Sequence, residues 1–581
     1  MHLCVGRSIF GALLAISVAT ACAGPAGPSQ GAGGPTPADQ QPRRTKTLTM
    51  AVTAHVGALG NLGESTTTGG WASTAELHTA GLVSADVHAH RPVGRLAEKV
   101  PSTDDGSVAV QPDGGMRVQY SLRKSVTWHD GAPFTAHDLV FSYRVNSDPG
   151  LPNVQTDAIF LISSVEATDD LTFVMTFKQP YFLGGTLGPR LFWPHPRHVL
   201  GDAYERYVET KNGDEFLNLP YWTSAYVNTG PFRLTDFSAG DSLTFEAYDG
   251  YFLGRPILDI LRIKLFSDSN TVFANILAGT LDLNLESTLA PEMGYQLEEI
   301  WGGGTVYRVT GGTRMLAPQW RQGIQTEPAN FDVRVRTALY QALDREELAA
   351  AREGGRREMA GWEILPPTDL LFPAVKDGLR PFSFDPDRAK AILAGVGWTP
   401  GPDGTLRNAS DGRRFKNILT ATAGYEREIA AFADYWRRIG VEVEEIMVPQ
   451  SQTRNGEYRA LYPGYEATSQ SEGTGILGKL EGPAGNAANR WAGNRGGYED
   501  PRAQRLVDAF RGSLSEREQV QTIKAISDFI VAELPILIAY GTAWPLAVRK
   551  GVKALDDVGG GGGGGAAYGT YTRNAHIWDV D

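Results

Sequence analysis

Cysteine is almost missing from this chain: 581 residues include two, Cys4 and Cys22, and none after position 22. From Ala23 onward the chain therefore has no disulfide, no thiol nucleophile and no cysteine metal ligand. It must be held by its apolar core, and roughly 540 residues are ample for that, enough for two or three structural units. Histidine is also scarce. There are ten, and none lies between His198 and His576. A histidine-bridged metal spanning the two halves of the chain is thereby excluded. His88-Ala89-His90 and His195-Pro196-Arg197-His198 could ligate only locally, and two histidines without further ligands are usually surface residues. No metal or other cofactor is expected. Blocks of Lys and Arg are absent too. The net charge is −12 with a pI of about 5.4, and Arg43-Arg44 and Arg356-Arg357 are isolated pairs. That excludes the basic footprint of a nucleic-acid partner. After the first 22 residues there is no long apolar run, so no membrane-spanning helix is expected. There is no Gly-x-Ser-x-Gly elbow and no His-Glu-x-x-His. Carboxylate pairs such as Asp104-Asp105, Asp169-Asp170 and Glu298-Glu299 read as solvated charges rather than as a glycosidase pair. The chain is not expected to be an enzyme; an exported hydrolase is the rival class.

What is present begins at the N-terminus. A short apolar run, Ile9 to Val18, follows Arg7 and ends in Ala19-Thr20-Ala21-Cys22. About ten apolar residues are too few to span a bilayer, and small residues before a cysteine read as a cleavage site. The segment resembles a bacterial lipoprotein signal, which implies a signal at 1–21 and lipid attachment at Cys22. The alternative is ordinary secretion with a spare thiol. Residues 22–45 hold little but Gly, Pro, Ala, Ser and Gln, a composition that cannot offset ordering entropy, so they read as a flexible tether.

The folded part begins with a strand-like stretch, Thr47 to Val52. Val118, Tyr120 and Leu122 alternate with polar neighbours as a half-buried strand does. His129-Asp130-Gly131 is a turn, Thr135 caps a helix with Asp138 at its third position, and Phe134 and Leu139 are placed as a hydrophobic staple. Strands are expected over 233–237, 242–246 and 257–266, then a helix from Asn270 stopped by Gly279. From about 330 helices dominate. Asp332 opens one, Asp344-Arg345-Glu346-Glu347 caps another, and Asp385-Pro386 starts a third. Ile429, Phe432, Trp436 and Ile439 form one apolar stripe. With 415–419 before it and 441–444 after it, this predicts strand–helix–strand and a parallel pair. Ser515 and Glu518 cap a last long helix that Pro535 stops. The run Gly559–Gly565 reads as a surface loop. No internal repeat is visible.

Several of these stretches together resemble the extracellular solute-binding proteins of family 5, the peptide/nickel class that serves ABC importers. The segment Val118 to Arg123 with Val126 to Phe141 is similar to that family's signature. Asn228 to Leu234, Leu277 to Leu283, Phe331 to Leu339 with Leu343 to Glu346, Phe384 to Lys390, Gly397-Trp398 and Asn574 to Asp579 follow in family order. The resemblance implies an α/β, two-lobed fold of the type II periplasmic-binding-protein kind, with an extra subdomain in the first lobe and a ligand cleft between the lobes. Lobe 1 would comprise 46–310 plus 541–581, with the subdomain at about 96–224, and lobe 2 would comprise 311–540. The crossings near Thr310-Gly311-Gly312-Thr313 and Ala539-Tyr540-Gly541-Thr542 would be the hinge, where glycine absorbs rotation cheaply. The implied function is solute capture for an importer: a peptide-like ligand, or alternatively an oligosaccharide. The implied partners are permease subunits, and the implied place is outside the cytoplasm, lipid-anchored, as a monomer.

A cleft of this kind wants aromatic walls and a few fixed polar groups. Trp71, in the loop after the first strand, Trp320, just past the first crossing, and Tyr540 and Trp544 around the second are the candidates. Each is equally readable as core. Peptide-binding members of the family carry a Gly-Trp-like pair followed by an aspartate that takes the ligand's amino group. Here the region reads Gly464 to Gly475, without that tryptophan or that aspartate. Gln470 falls near the first gap, and Glu472 is the nearby acid able to replace the second.

Overall fold

The computed structural model describes residues 44–60, 71–86, 91–152, 157–285, 287–361, 364–365, 369–378, 382–453, 455–470, 473–489, 491, 493–555 and 569–581. Cys22, the tether, His88, His90, Glu472 and the glycine run lie outside them. The described residues from Thr45 onward form a single compact unit.

Fourteen strands carry the architecture. In chain order they are β1 (Thr47–Val52), β2 (Val108–Val110), β3 (Met116–Ser121), β4 (Ile162–Asp169), β5 (Thr172–Phe177), β6 (Phe232–Ser238), β7 (Ser242–Ala247), β8 (Ile260–Leu265), β9 (Leu283–Asn284), β10 (Gly304–Pro318), β11 (Lys416–Thr422), β12 (Glu442–Val448), β13 (Tyr465–Gln470) and β14 (Leu537–Arg549). The helices that matter here are α1 (Ala136–Asn146), α2 (Pro291–Ile300), α3 (Val333–Gln341), α4 (Arg345–Arg352), α5 (Glu426–Arg438) and α6 (Glu516–Glu533).

Ten strands form one sheet in the order β12-β11-β13-β10-β14-β9-β1-β8-β7-β6. β1 is parallel to both β8 and β9 and buried, which suits its run of apolar residues. β11 and β12 are parallel, in register from Lys416↔Glu442 to Thr422↔Val448, and α5 connects them. Their pairing follows from the stripe on α5: Ile429, Phe432 and Trp436 are buried, Glu426 lies in the first turn, and Arg437 and Arg438 in the last, each charge opposing the helix dipole. Gly440, at φ +92°, then reverses the chain.

The second sheet, β2-β3-β5-β4, is antiparallel and packs α1 over a separate core of Tyr120, Trp128, Leu139 and Phe173. The expected capping box is formed in full: the Thr135 side chain accepts from the third helical N–H, and Thr135 N donates to Asp138 Oδ2 at 2.9 Å. The last helix, α6, carries the other expected box, Ser515 with Glu518. Met50, Phe245 and Leu261 belong to one large core, Leu339, Leu419 and Trp436 to another. The strand expected over 257–266 is shorter than its sequence suggests, spanning Ile260–Leu265.

The segments expected as crossings, near Gly311-Gly312 and Gly541, are strand rather than turn. Both lie inside long strands, β10 of 15 residues and β14 of 13, paired antiparallel from Gly304↔Arg549 to Leu316↔Leu537. The register slips at Thr310/Gly312 and again at Arg314/Met315. Gly311 therefore serves a bulge in a ladder, not a loop. It also makes room: a Cβ there would sit 2.6 Å from Trp544 Nε1.

Candidate ligand-binding site

The face of the sheet formed by β11, β12 and β13 holds a pocket of about 490 Å³. Period-two alternation builds its floor. Thr420 on β11 stands opposite Ile446 of β12 on one side and Glu466 of β13 on the other, and Val448 follows two residues on. Tyr458 and Arg459, from a short helix at Gly456–Ala460, and Leu461 close it from above. Ile446, Val448, Leu461 and Pro463 give apolar walls, and six of the twelve lining residues are polar or charged.

Those polar groups are unevenly matched. Glu466 is 1% exposed, in a strand between buried Tyr465 and Ala467. A buried carboxylate needs cations, and it has two: Arg459 Nε lies 3.2 Å away with a second, closer contact through Nη2, and Arg495 Nη1 lies at 3.2 Å. Lys479 is near enough to feel all three; burial pushes its ammonium pKa down, and Glu466 pulls it partly back. Thr420, 4% exposed, has a hydroxyl with no hydrogen-bond partner. A buried polar atom left without a partner costs free energy unless something fills the site.

β13 has a second property. β11 pairs with it only at Tyr465 and Glu466, while β10 follows it from Tyr465 to Gln470. Over 467–470 one edge of β13 thus has no strand partner among the described residues. Gln470, its last residue, is four residues past Glu466 and falls on the pocket's face.

The residues expected at the site are only partly gathered there. Gln470 pairs with Thr313, Tyr540 with Arg314 and Trp544 with Val309, so these three cluster where β10, β13 and β14 run side by side. Tyr540 is 1% exposed and belongs to the second core; Trp544 is half-buried against Gly311. Trp320 lies elsewhere. It follows the end of β10, seven residues or about 23 Å of strand beyond Thr313. Its Nε1 donates to Pro535 O at 3.1 Å, and its ring lies beneath Arg336 and beside Tyr498. It lines a separate pocket of about 470 Å³ with Arg321, Asp500 and Glu533. Trp71 sits in a short 3-10 helix, Trp71–Thr74, 5% exposed and stacked on His78 at 6.0 Å within the first core. Sequence reasoning missed Thr420, Tyr458, Arg459 and Glu466. One signal was available: an acid in the middle of an otherwise apolar and small strand is costly unless it is paired.

The described residues contain no group of three or more His, Cys, Asp and Glu side chains placed to hold a metal, and no helix among them is long and apolar enough to cross a membrane.

Residues 91–474 match the family model described as bacterial extracellular solute-binding proteins, family 5, middle. The chain belongs to this family. Oligopeptide-binding protein AppA of Bacillus subtilis is 28% identical over 372 residues, 61% of this chain and 64% of AppA. Heme-binding protein A of Haemophilus influenzae is 30% identical over 315 residues, 50% of this chain and 52% of its own length. The chain thus spans about half to two thirds of the length of these curated relatives. Among solved structures, the oligopeptide-binding protein of Thermus thermophilus, complexed with a pentapeptide, superposes with a TM-score of 0.69 at 21% identity, covering 92% of this chain and 96% of that one. NikZ of Campylobacter jejuni, holding Ni(L-His), gives 0.69 at 18%, covering 92% and 99%. These likenesses establish the fold: two-lobed α/β, of the type II periplasmic-binding-protein kind. The family consists of extracellular solute binders rather than enzymes.

Proposed function

We propose that this family 5 protein is the substrate-binding component of an ABC importer, capturing a peptide-like solute outside the membrane and passing it to permease subunits. The observation that carries the peptide reading is β13. Its open edge at 467–470 continues from a pocket of about 490 Å³, and an extended peptide binds by supplying a missing strand's hydrogen bonds while its side chains fill pockets along the strand. The names of the relatives, oligopeptide binders among them, favour a peptide over an oligosaccharide. Lobe 1 is 46–310 plus 541–581 with its subdomain at about 96–224, and lobe 2 is 311–540. On this reading Gln470, Trp544 and Tyr540 stand near the crossing of the lobes, and Trp71 and Trp320 support them from within each lobe. Glu472 remains the candidate partner for the ligand's amino group.

Mass spectrometry of the mature protein purified from its own host should find peptides bound. On saturation with the recovered ligand, the radius of gyration from small-angle scattering should fall, because the closed form makes contacts the open form lacks. A non-peptide ligand would sink the peptide reading, and an unchanged radius at saturation would sink closure.

The same reading includes a lipid anchor at Cys22, with 22–45 as a tether and a monomeric protein at the membrane's outer side. Cys22→Ser should move the protein from the membrane fraction to the soluble one. A wild-type N-terminus without acyl mass would show that the cysteine serves no anchor.

A further inference from the structure

Glu353 fastens the proposed lobes to each other where the strands cross. It ends α4, inside 311–540, and is 1% exposed. Its hydrogen bonds reach into the other lobe. Ala543 N donates to Oε2 at 3.2 Å, and Tyr295 of α2 donates its hydroxyl to the same oxygen at 3.4 Å. Ala543 is the first residue past the second crossing and pairs with Thr310 at the first. Beside it, Arg352 Nη1 meets Glu292 Oε1 of α2 at 2.9 Å. The approach is close: at Gly354, φ +61°, a Cβ would sit 2.4 Å from Tyr295 Cε1. Ionised, Glu353 is poorly supported there. It stands at the C-terminal, negative end of a helix. The charged and titratable groups around it are Glu292 and Tyr295 of α2, Arg308 of β10, and Arg352 and Arg356 of its own segment. Arg308 is held by Glu298 at 2.9 Å and Arg352 by Glu292, and among the described residues no cation pairs with Glu353. Its donors are a neutral N–H and a neutral hydroxyl, and burial raises its pKa to about 7.

We propose that Glu353 is a proton-operated latch between the lobes: neutral, it stays seated against Ala543 and Tyr295 and holds the arrangement described here; ionised, it leaves for water and frees the lobes to rotate. The inference rests on the reading of two lobes that move about these crossings, and adds what controls the movement. A proton acts here as any ligand does, favouring the state that binds it better. The seated carboxyl keeps its proton where a water-exposed one has lost it, so the balance between the two arrangements shifts across neutral pH. The Arg352–Glu292 pair is a strap on the same contact: it adds to the seated arrangement without touching the carboxyl.

Pulsed electron–electron distance measurement on the full mature chain, free of bound solute, tests this. Spin labels go on Asp241→Cys and Lys390→Cys, exposed positions in lobe 1 and lobe 2, with Cys22→Ser so that no other thiol is present. At pH 6.0 one distance should dominate, the one in this structure. At pH 8.5 at least half of the population should move to a second distance, with a midpoint near neutrality. Glu353→Gln, which cannot ionise, should keep the pH 6.0 distribution at both pH values. Glu292→Gln, at a half-exposed position with little folding risk, should lower the midpoint by half a pH unit or more, because it removes both the strap and a negative charge that raises the Glu353 pKa. Identical distributions at pH 6.0 and 8.5 overturn the latch, and so does a pH shift that survives in Glu353→Gln or a midpoint unmoved in Glu292→Gln. A pool of tri- to pentapeptides added at pH 6.0 separates the two failures. A distance change with peptide but none with pH leaves two moving lobes and overturns the latch alone; no change with either overturns the two-lobe motion as well.

Discussion

Acidification from pH 7 to 4.5 should destabilise this protein steeply. Burial holds the His78 imidazole at a pKa of about 3, His129 at about 4 and His195 at about 3, against an ordinary 6.5. All three are at most 6% exposed, and His78 Nε2 and His195 Nδ1 have no hydrogen-bond partner. A base whose pKa is depressed in the folded state contributes its full stability above the unfolded value. That stability is lost as pH falls from 6.5 towards 3–4, because only the unfolded chain takes up protons. Each histidine then costs about 1.4 kcal/mol per pH unit, roughly 8 kcal/mol for three between pH 6.5 and 4.5. Glu353 works the other way. It is 1% exposed, accepts from Ala543 N at 3.2 Å, and burial raises its pKa to about 7. Its folded carboxyl keeps a proton that the unfolded one releases, so it regains about 3 kcal/mol over the same fall. For these four groups together the expected loss is about 5 kcal/mol, read from urea denaturation at a series of pH values, and His576, which burial lowers to about 4, adds to it. His78→Phe, which keeps a ring stacked 5.6 Å from Phe245, should flatten the slope by about one proton. A midpoint that does not move between pH 7 and 5 would refute the account.

Glu428→Gln should be among the most damaging single changes in the second core. Arg314 on β10 and Glu428 on α5 form a bidentate pair with side chains 3% and 0% exposed, Nε to Oε1 at 2.9 Å. The guanidinium also lies 3.9 Å from the Tyr425 ring centroid. Two ions this deep are tolerated because each neutralises the other. Removing one leaves a desolvated charge, at about 3–5 kcal/mol. Replacing both with apolar residues, Arg314→Met with Glu428→Leu, should recover most of that loss, since the desolvation cost disappears with the charges. Chemical denaturation of the two single variants and the double variant would settle it. A double variant as unstable as the sum of the singles would show that packing, not charge, holds this region.

Local signals were legible in the sequence where a short stretch decides by itself. The Thr135/Asp138 and Ser515/Glu518 boxes, the Asp332 and Asp385 caps, the α5 stripe and the parallel pair around it all stand where periodicity and capping put them. So do β6 and β7, with Gly240 turning between them at φ +76°. The ordered set of stretches from Val118 to Asp579 was enough for the family and its fold.

Pairing across the chain was decided by tertiary structure. Nothing near Gly311 or Gly541 announces that two strands more than 200 residues apart run in one ladder, because glycine reads the same in a turn and in a bulge. Trp320 reads as adjacent to the crossing by number, yet a strand rises over three ångströms per residue and carries it to the far end of β10. The pocket was invisible for the same reason. Thr420, Ile446 and Glu466 are ordinary residues in sequence, and become neighbours through the register of three strands. Composition excluded a thiol after Cys22, a basic nucleic-acid surface and a histidine bridge between the halves, since those depend on which residues exist. Where a charge is sheltered, and which charges share it, depends on what packs above it, and only the folded chain decides that.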